Sequence, residues 1–229
     1  MGFGLPILTR GFFQSDPVTC ARELVGCVVQ WNGCSGLIVE TEAYAALNDE
    51  ACHTWSRPSA REFVASHSAG DTYVYFNYGM YWMLNVLIKG GSEDGFVLFR
   101  AIEPISGIDD MRKLREASRH TLQRPMKDTE LCSGPGKLAQ ALAVTGADHG
   151  RDFCDSPGIG LFQRPKPVDV VSDVRVGISK ATELPWRFLL AGNAHVSRPA
   201  ATMRARYSGA SRGTQTCSPR AAGPTRSPS

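Results

Sequence analysis

The 229-residue chain has no Cys-x-x-Cys pair, no apolar run of membrane-spanning length, and no Asp or Glu after Glu183. Its seven cysteines are scattered and odd in number, which disfavours a zinc ribbon, a thioredoxin motif and a four-cysteine iron–sulfur cluster. Reduced, mostly buried thiols are expected instead. The longest apolar stretch, Tyr81 to Ile88, has the length of a strand. The N-terminal Met1-Gly2-Phe3-Gly4-Leu5-Pro6 lacks the charged and apolar regions of a signal peptide, and Pro6 stands where a myristoylation motif wants Ser or Thr. A soluble intracellular protein is expected, cytoplasmic with the nucleoid in a bacterium and nuclear in a eukaryote.

The missing acids also divide the charge. Seven of the 25 basic residues lie between Leu184 and Ser229, so the first 183 residues hold 18 bases against 22 acids, a balance of −4. The overall charge of +3 is therefore supplied by the C-terminal end. Charge alone does not make the body of this chain a nucleic-acid binder. From about Arg206 the composition collapses to Ser, Gly, Arg, Pro, Ala and Thr, the profile of a disordered basic tail over 206–229.

What remains, residues 1–205, reads as one ordinary globular domain. Asp16-Pro17 caps a helix that stops at Gly26. Cys27 to Trp31 and Ser35 to Tyr44 flank Asn32-Gly33, a hairpin signal. A long polar connection, Ala45 to Asp71, carries a helical turn at Asp49 to His53; a loop of that length is usually functional or mobile. Strands follow at Tyr73 to Phe76, Tyr81 to Ile88 and Phe96 to Ala101, then helices from Gly107 to Ser118 and from Ser133-Gly134-Pro135 through Val144. Val168 to Val171, Val174 to Ile178 and Arg187 to Leu190 look like short strands. The whole is an α+β single domain: a curved antiparallel β-sheet with flanking helices and a protruding hairpin.

Three stretches carry chemistry. In Glu40-Thr41-Glu42-Ala43-Tyr44 the two acids and the tyrosine share a strand face, their α-carbons roughly 7 Å apart from one acid to the next. Paired carboxylates suit glycosidic hydrolysis, although Glu-x-Glu by itself fits a solvated strand end more often. In Tyr73 to Asn85 the centre, Asn77-Tyr78-Gly79-Met80, is a turn bearing bulky side chains. Either these fold back onto the core or they form a wedge for a base stack, with Tyr75 or Tyr44 stacking on an expelled base. In Glu130 to Leu138, exposed amides at a helix start with Lys137 in the first turn would seat a phosphate; a plain capped helix fits as well. A Walker A loop is excluded, because Leu131 replaces its first glycine and Leu138 follows the lysine.

In combination these stretches, with Asp49 to His53 and Leu98-Phe99-Arg100-Ala101, resemble the alkyladenine (3-methyladenine) DNA glycosylase family in motif order and spacing, from about Pro17 to Ser197. The resemblance implies that Glu42 is the general base and that Arg100 helps hold the attacking water, while Glu40 matches a non-catalytic acid. It implies that Tyr44, His53 and Tyr75 wall the flipped base, that Asn85 crowds the exocyclic amine of guanine, and that Tyr78, with Met80 beside it, fills the vacated gap. Lys137 falls on the phosphate contact. Glu62 departs from the family's asparagine, and Gly136 from its serine.

The implied activity is that of a monofunctional DNA glycosylase in base excision repair. It acts on double-stranded DNA as a monomer and needs no metal and no cofactor. Water is the nucleophile, since no lysine sits in the motif to form a Schiff base. Two rivals are a carbohydrate hydrolase using Glu40 and Glu42, and a non-catalytic DNA-binding module. The helix-hairpin-helix class of glycosylase is not signalled, because its Leu-Pro-Gly-x-Gly hairpin is missing.

Overall fold

A computed structural model describes residues 4–118 and 124–201. The basic tail expected over 206–229 lies outside the described residues. Two short helices open the fold, α1 (Arg10–Phe13) and α2 (Pro17–Leu24). The start of α2 is the one the sequence predicts: Asp16 accepts from the Thr19 N–H at 2.8 Å and Pro17 sits at the first helical position. A cap of this kind is worth about 1 kcal/mol. Strands β1 (Val28–Trp31) and β2 (Cys34–Ala45) then form the expected hairpin, with Asn32 and Gly33 both at positive φ.

The connection after β2 differs from expectation. It folds into α3 (His53–Ser56) and α4 (Pro58–Ser66); the turn expected from Asp49 forms as a single hydrogen-bonded turn, the Cys52 N–H on the Asp49 carbonyl at 3.0 Å, ahead of α3. Asp49 also turns its carboxylate onto the backbone N–H groups of Ala45 and Ala51, which fixes that turn.

Strands β3 (Thr72–Asn77), β4 (Tyr81–Ile88) and β5 (Gly95–Ser106) follow, then α5 (Ile108–Ala117), α6 (Asp128–Leu131) and α7 (Pro135–Ala141). The last helix ends before Val144 because Ala143 takes a left-handed conformation, φ +52°. Three short strands complete the described residues, β6 (Ile159–Phe162), β7 (Val170–Asp173) and β8 (Arg187–Leu190). The strand expected at Val174 to Ile178 does not form, because Arg175 turns inward and Gly177 adopts φ +79°.

Among the described residues eight strands form one antiparallel sheet, with the order β3-β4-β5-β2-β1-β6 along its main path. The long β2 forks one edge of it: residues Cys34 to Leu37 pair with β1, whereas Glu40 to Glu42 pair with β8, which carries β7. The sheet therefore curls, and the α+β class with a curved antiparallel sheet is what the chain adopts.

Alternation along the strands separates two faces. Ala43, Val74, Leu84, Val86, Val97 and Phe99 join the main core with Phe13, Leu24, Trp31 and the helical residues Met111, Leu138 and Leu142. The opposite face carries Tyr44, Tyr73, Tyr75, Leu87 and Phe96, and α4 covers one end of it with Ala60, Phe63 and Val64. The rest of that second face is open.

Candidate active site

The open part of the second face is a cavity of about 500 Å³, within the range of about 300–1,000 Å³ usual for small-molecule sites. Its walls follow from strand register. Tyr75 pairs with Met83, Tyr73 with Asn85, Asn85 with Leu98 and Tyr44 with Phe96, so side chains two apart on four strands converge. Arg100 continues the β5 row at a register shift beside Glu40, the kind of irregularity that re-aims a side chain.

Glu40 and Glu42 are both fully buried, which rules out a solvated strand end. They are buried because they are paired. Arg100 donates from Nε to Glu40 Oε1 at 2.8 Å and from Nη1 to Glu42 Oε2 at 3.2 Å. Arg187, from β8, adds a second cation on Glu40 Oε1 at 2.9 Å. Ser197 donates its backbone N–H to Glu40 Oε2 at 2.5 Å and its hydroxyl to Oε1 at 2.8 Å. Glu42 has a different set of donors: the Val176 N–H on Oε1 at 2.7 Å, and the Tyr44 hydroxyl on Oε2 at 2.8 Å.

These surroundings push the two acids in opposite directions. Burial raises the pKa of Glu42, and Arg100, the Val176 N–H and the Tyr44 hydroxyl do not cancel it; the carboxyl stays above its ordinary value. Burial raises Glu40 too, but Arg100, Arg187 and the Ser197 N–H outweigh it and its pKa falls. Glu40 is held in its ionised form by two arginines. Glu42 is the more basic carboxylate, and all three of its donors line the cavity.

The remaining predicted residues fall on and around the cavity. Tyr44, His53, Tyr75 and Asn85 line it. The His53 and Tyr75 rings meet edge to face with centroids 4.2 Å apart, and His53 Nδ1 lies 3.1 Å from the Tyr73 hydroxyl. Burial, and then Arg57, lower the His53 pKa to about 4, so the imidazole is neutral at pH 7. Asn85 is fixed by its Nδ2 donating to the Tyr73 carbonyl at 3.0 Å. Tyr78 and Met80 stand at the cavity rim, 80% and 61% exposed, so neither folds back onto the core.

The hairpin tip that carries them has Tyr78 and Gly79 both in the left-handed region, φ +51° and +64°, and the Met80 N–H closes onto the Asn77 carbonyl at 3.0 Å. This is a type I′ geometry, which usually takes Asn-Gly. Lys137 lies outside the cavity, on a neighbouring hollow of about 330 Å³ with Arg115, Gln140 and Tyr81. Tyr81 also lines the main cavity and joins the two. Gly136 answers to that ring: a Cβ there would stand 2.8 Å from Tyr81 Cγ, so a serine does not fit against this hairpin.

Several participants escape sequence reasoning. Arg187 and Ser197 reach Glu40 across 147 and 157 positions, and Val176 reaches Glu42 across 134. Arg57 and Lys180 add positive charge to the cavity lining. Because Arg100 bridges both acids, they lie to one side of any ligand; a carbohydrate hydrolase needs carboxylates flanking the bond. Among the described residues, no three His, Cys, Asp or Glu side chains group as metal ligands, and no helix is long and apolar enough to cross a membrane.

Comparison with known proteins identifies the family. Residues 11–194 match the methylpurine-DNA glycosylase (MPG) family, most of the chain. A Nitrosospira multiformis protein provisionally named 3-methyladenine DNA glycosylase is 42% identical over 187 residues, covering 82% of this chain and 92% of its own. Similarly named proteins of Rhodopseudomonas palustris (strain ATCC BAA-98 / CGA009) and Chlorobium luteolum are 40% and 41% identical, covering 85% and 83% of this chain and 89% and 96% of theirs. The chain belongs to the methylpurine-DNA glycosylase family.

Proposed function

We propose that the protein removes alkylated or deaminated purines from double-stranded DNA, the class of 3-methyladenine, 7-methylguanine, hypoxanthine and ethenoadenine, by hydrolysing the N-glycosidic bond and leaving an abasic site. The observation that carries the proposal is Glu42: a buried carboxylate of raised basicity, bridged to Arg100, behind an aromatic cavity whose rim bears an exposed tyrosine.

The damaged nucleotide is rotated out of the stack into the cavity, between Tyr44, His53 and Tyr75. Tyr78, with Met80, fills the gap in the duplex, and Lys137 contacts a backbone phosphate. Bond cleavage develops positive charge on the sugar. Glu42 offsets that charge and takes the proton of the attacking water, which Arg100 holds. Asn85 excludes guanine by crowding its exocyclic amine.

The test is a duplex with one hypoxanthine or ethenoadenine, incubated with the protein and treated with alkali. Strand cleavage at the lesion, dependent on alkali, is expected. Absence of cleavage on either lesion with folded protein would overturn the assignment, and cleavage without alkali would overturn the monofunctional mechanism.

A further inference from the structure

Arg175 belongs to no strand, yet its side chain has no exposed surface. The guanidinium lies between two rings, 4.7 Å from the Tyr44 centroid and 5.2 Å from that of Trp186. Nη1 donates to Asp49 Oδ2 at 2.6 Å and to the Ala43 carbonyl at 2.9 Å. Nη2 donates to Asp49 Oδ1 at 2.8 Å and to the Ala181 carbonyl at 3.3 Å. Asp49 is equally enclosed and also accepts from Ala45 and Ala51. A fully buried ion pair is poor value as a source of stability, because an apolar pair of similar volume is often as stable. Its use here is geometric.

That geometry brackets one side chain. Arg175 grips the carbonyl of Ala43, the residue after Glu42, and packs on the ring of Tyr44, the residue after that. Its own successor, Val176, donates to Glu42 Oε1, and Tyr44 donates to Oε2. Both uncharged donors of the carboxylate are therefore placed by one guanidinium. We infer that Arg175, held by Asp49, is a positioning residue that keeps the Tyr44 hydroxyl and the Val176 N–H on Glu42. The inference rests on the proposed role of Glu42 as general base.

The groups facing Glu42 are Glu40 and Tyr44 on β2, Arg100 on β5, Arg187 on β8, Tyr75 on β3, and Arg175 with Val176 on the segment after β7. Of these, Arg100, Val176 and Tyr44 favour the ionised carboxylate against burial, which disfavours it. Releasing two of the three raises the pKa of Glu42 further. The acid limb of the rate profile then moves to higher pH.

The experiment uses the full chain as wild type, Arg175→Lys and Asp49→Asn. Lysine keeps the charge but loses the flat fork, and Asn keeps the shape but loses the charge. Single-turnover excision from a hypoxanthine duplex is followed from about pH 5 to 9, with melting curves alongside; using one substrate throughout cancels its own titration. The expected result is an acid limb displaced upward by about one unit, so that variants are about tenfold slow below the limb and approach wild type above it. A loss by the same factor at every pH, or an unmoved limb, would overturn the inference. Carboxyl-carbon NMR titration of Glu42 in wild type and variants reads the same displacement without catalysis, and equal midpoints overturn it too. A wild-type protein that releases no base from the duplex refutes the proposed function instead, and the NMR titration still decides the role of Arg175.

Discussion

Arg100 donates to Glu40 at 2.8 Å and to Glu42 at 3.2 Å, and only the second of these acids shares its remaining donors with the cavity lining. Two carboxylates on one strand face are thereby separated in role by their surroundings. Glu40 is saturated by Arg100, Arg187 and Ser197 and held strongly ionised. Glu42 is buried by weaker partners and is the better proton acceptor.

Glu42→Gln is expected to lower single-turnover excision by about 10²–10⁴-fold, the usual contribution of a general base. Lesion-duplex affinity should change little, because the amide is nearly isosteric and the cavity walls are untouched. The measurement is a rate with enzyme in excess, paired with a binding isotherm. A Glu42→Gln protein that excises at the wild-type rate would remove the acid from the mechanism.

Glu40→Gln should act on stability, with a defined pH dependence. The folded-state pKa of Glu40 is lowered from its ordinary value of 4.5, so its contribution is fully present above about pH 4.5 and is lost as pH falls through the lowered value. Removing its charge takes one anion from both Arg100 and Arg187, which keep Glu42 and Asp173, so the loss should stay below about 3–5 kcal/mol, the cost of a buried charge left wholly unpaired. Melting curves should show wild type and Glu40→Gln far apart at pH 7 and converging in acid. A gap that stays constant down to acid pH would show that the carboxylate's charge is not what matters.

The parts of the fold legible in the sequence are those whose signals are local. The alternation of β3, β4 and β5, the Asp16-Pro17 cap and the Asn32-Gly33 turn need only their neighbours. Helices α3 and α4 lie in a polar stretch, and their one local marker is Pro58 at the first position of α4. β6 is a four-residue strand containing Gly160, too short to show a period. The false strand at Val174 to Ile178 has strand composition, but its course is set by Arg175 and Val176 reaching β2. The same limit applies to the site. Glu-x-Glu is visible as a pattern, whereas its burial depends on arginines 60 and 147 positions away.

Asn85→Ser should relax the exclusion of guanine. The Asn85 amide is pinned by the Tyr73 carbonyl, so it cannot swing aside for an added amine. A shorter side chain leaves room for it. Release of undamaged guanine relative to hypoxanthine is expected to rise by about tenfold or more, the scale set by one missing group in a pocket wall. The ratio is read from free bases released by duplexes of matched sequence, and an unchanged ratio would assign the exclusion to another residue.

Tyr78 offers the sharpest test of the wedge, because the structure makes its removal mild for the fold. The side chain is 80% exposed and its backbone is left-handed, a conformation that costs a non-glycine residue about 1–2 kcal/mol. Tyr78→Gly relieves that strain, and the greater freedom of glycine in the unfolded chain offsets about 0.4–1 kcal/mol of the gain. The melting temperature should therefore hold or rise slightly. If the ring replaces stacking lost when a nucleotide rotates out, its removal should weaken lesion-duplex binding by about 1–3 kcal/mol. That is about 5- to 150-fold in affinity. A single strand has no stack to hold open, so excision from it should suffer much less. Matched single- and double-stranded substrates carrying the same lesion, with melting curves on both proteins, separate the possibilities. A fall in melting temperature with equal losses on the two substrates would make Tyr78 a structural residue of the hairpin. A selective loss on the duplex, at undiminished stability, is the result that a wedge requires.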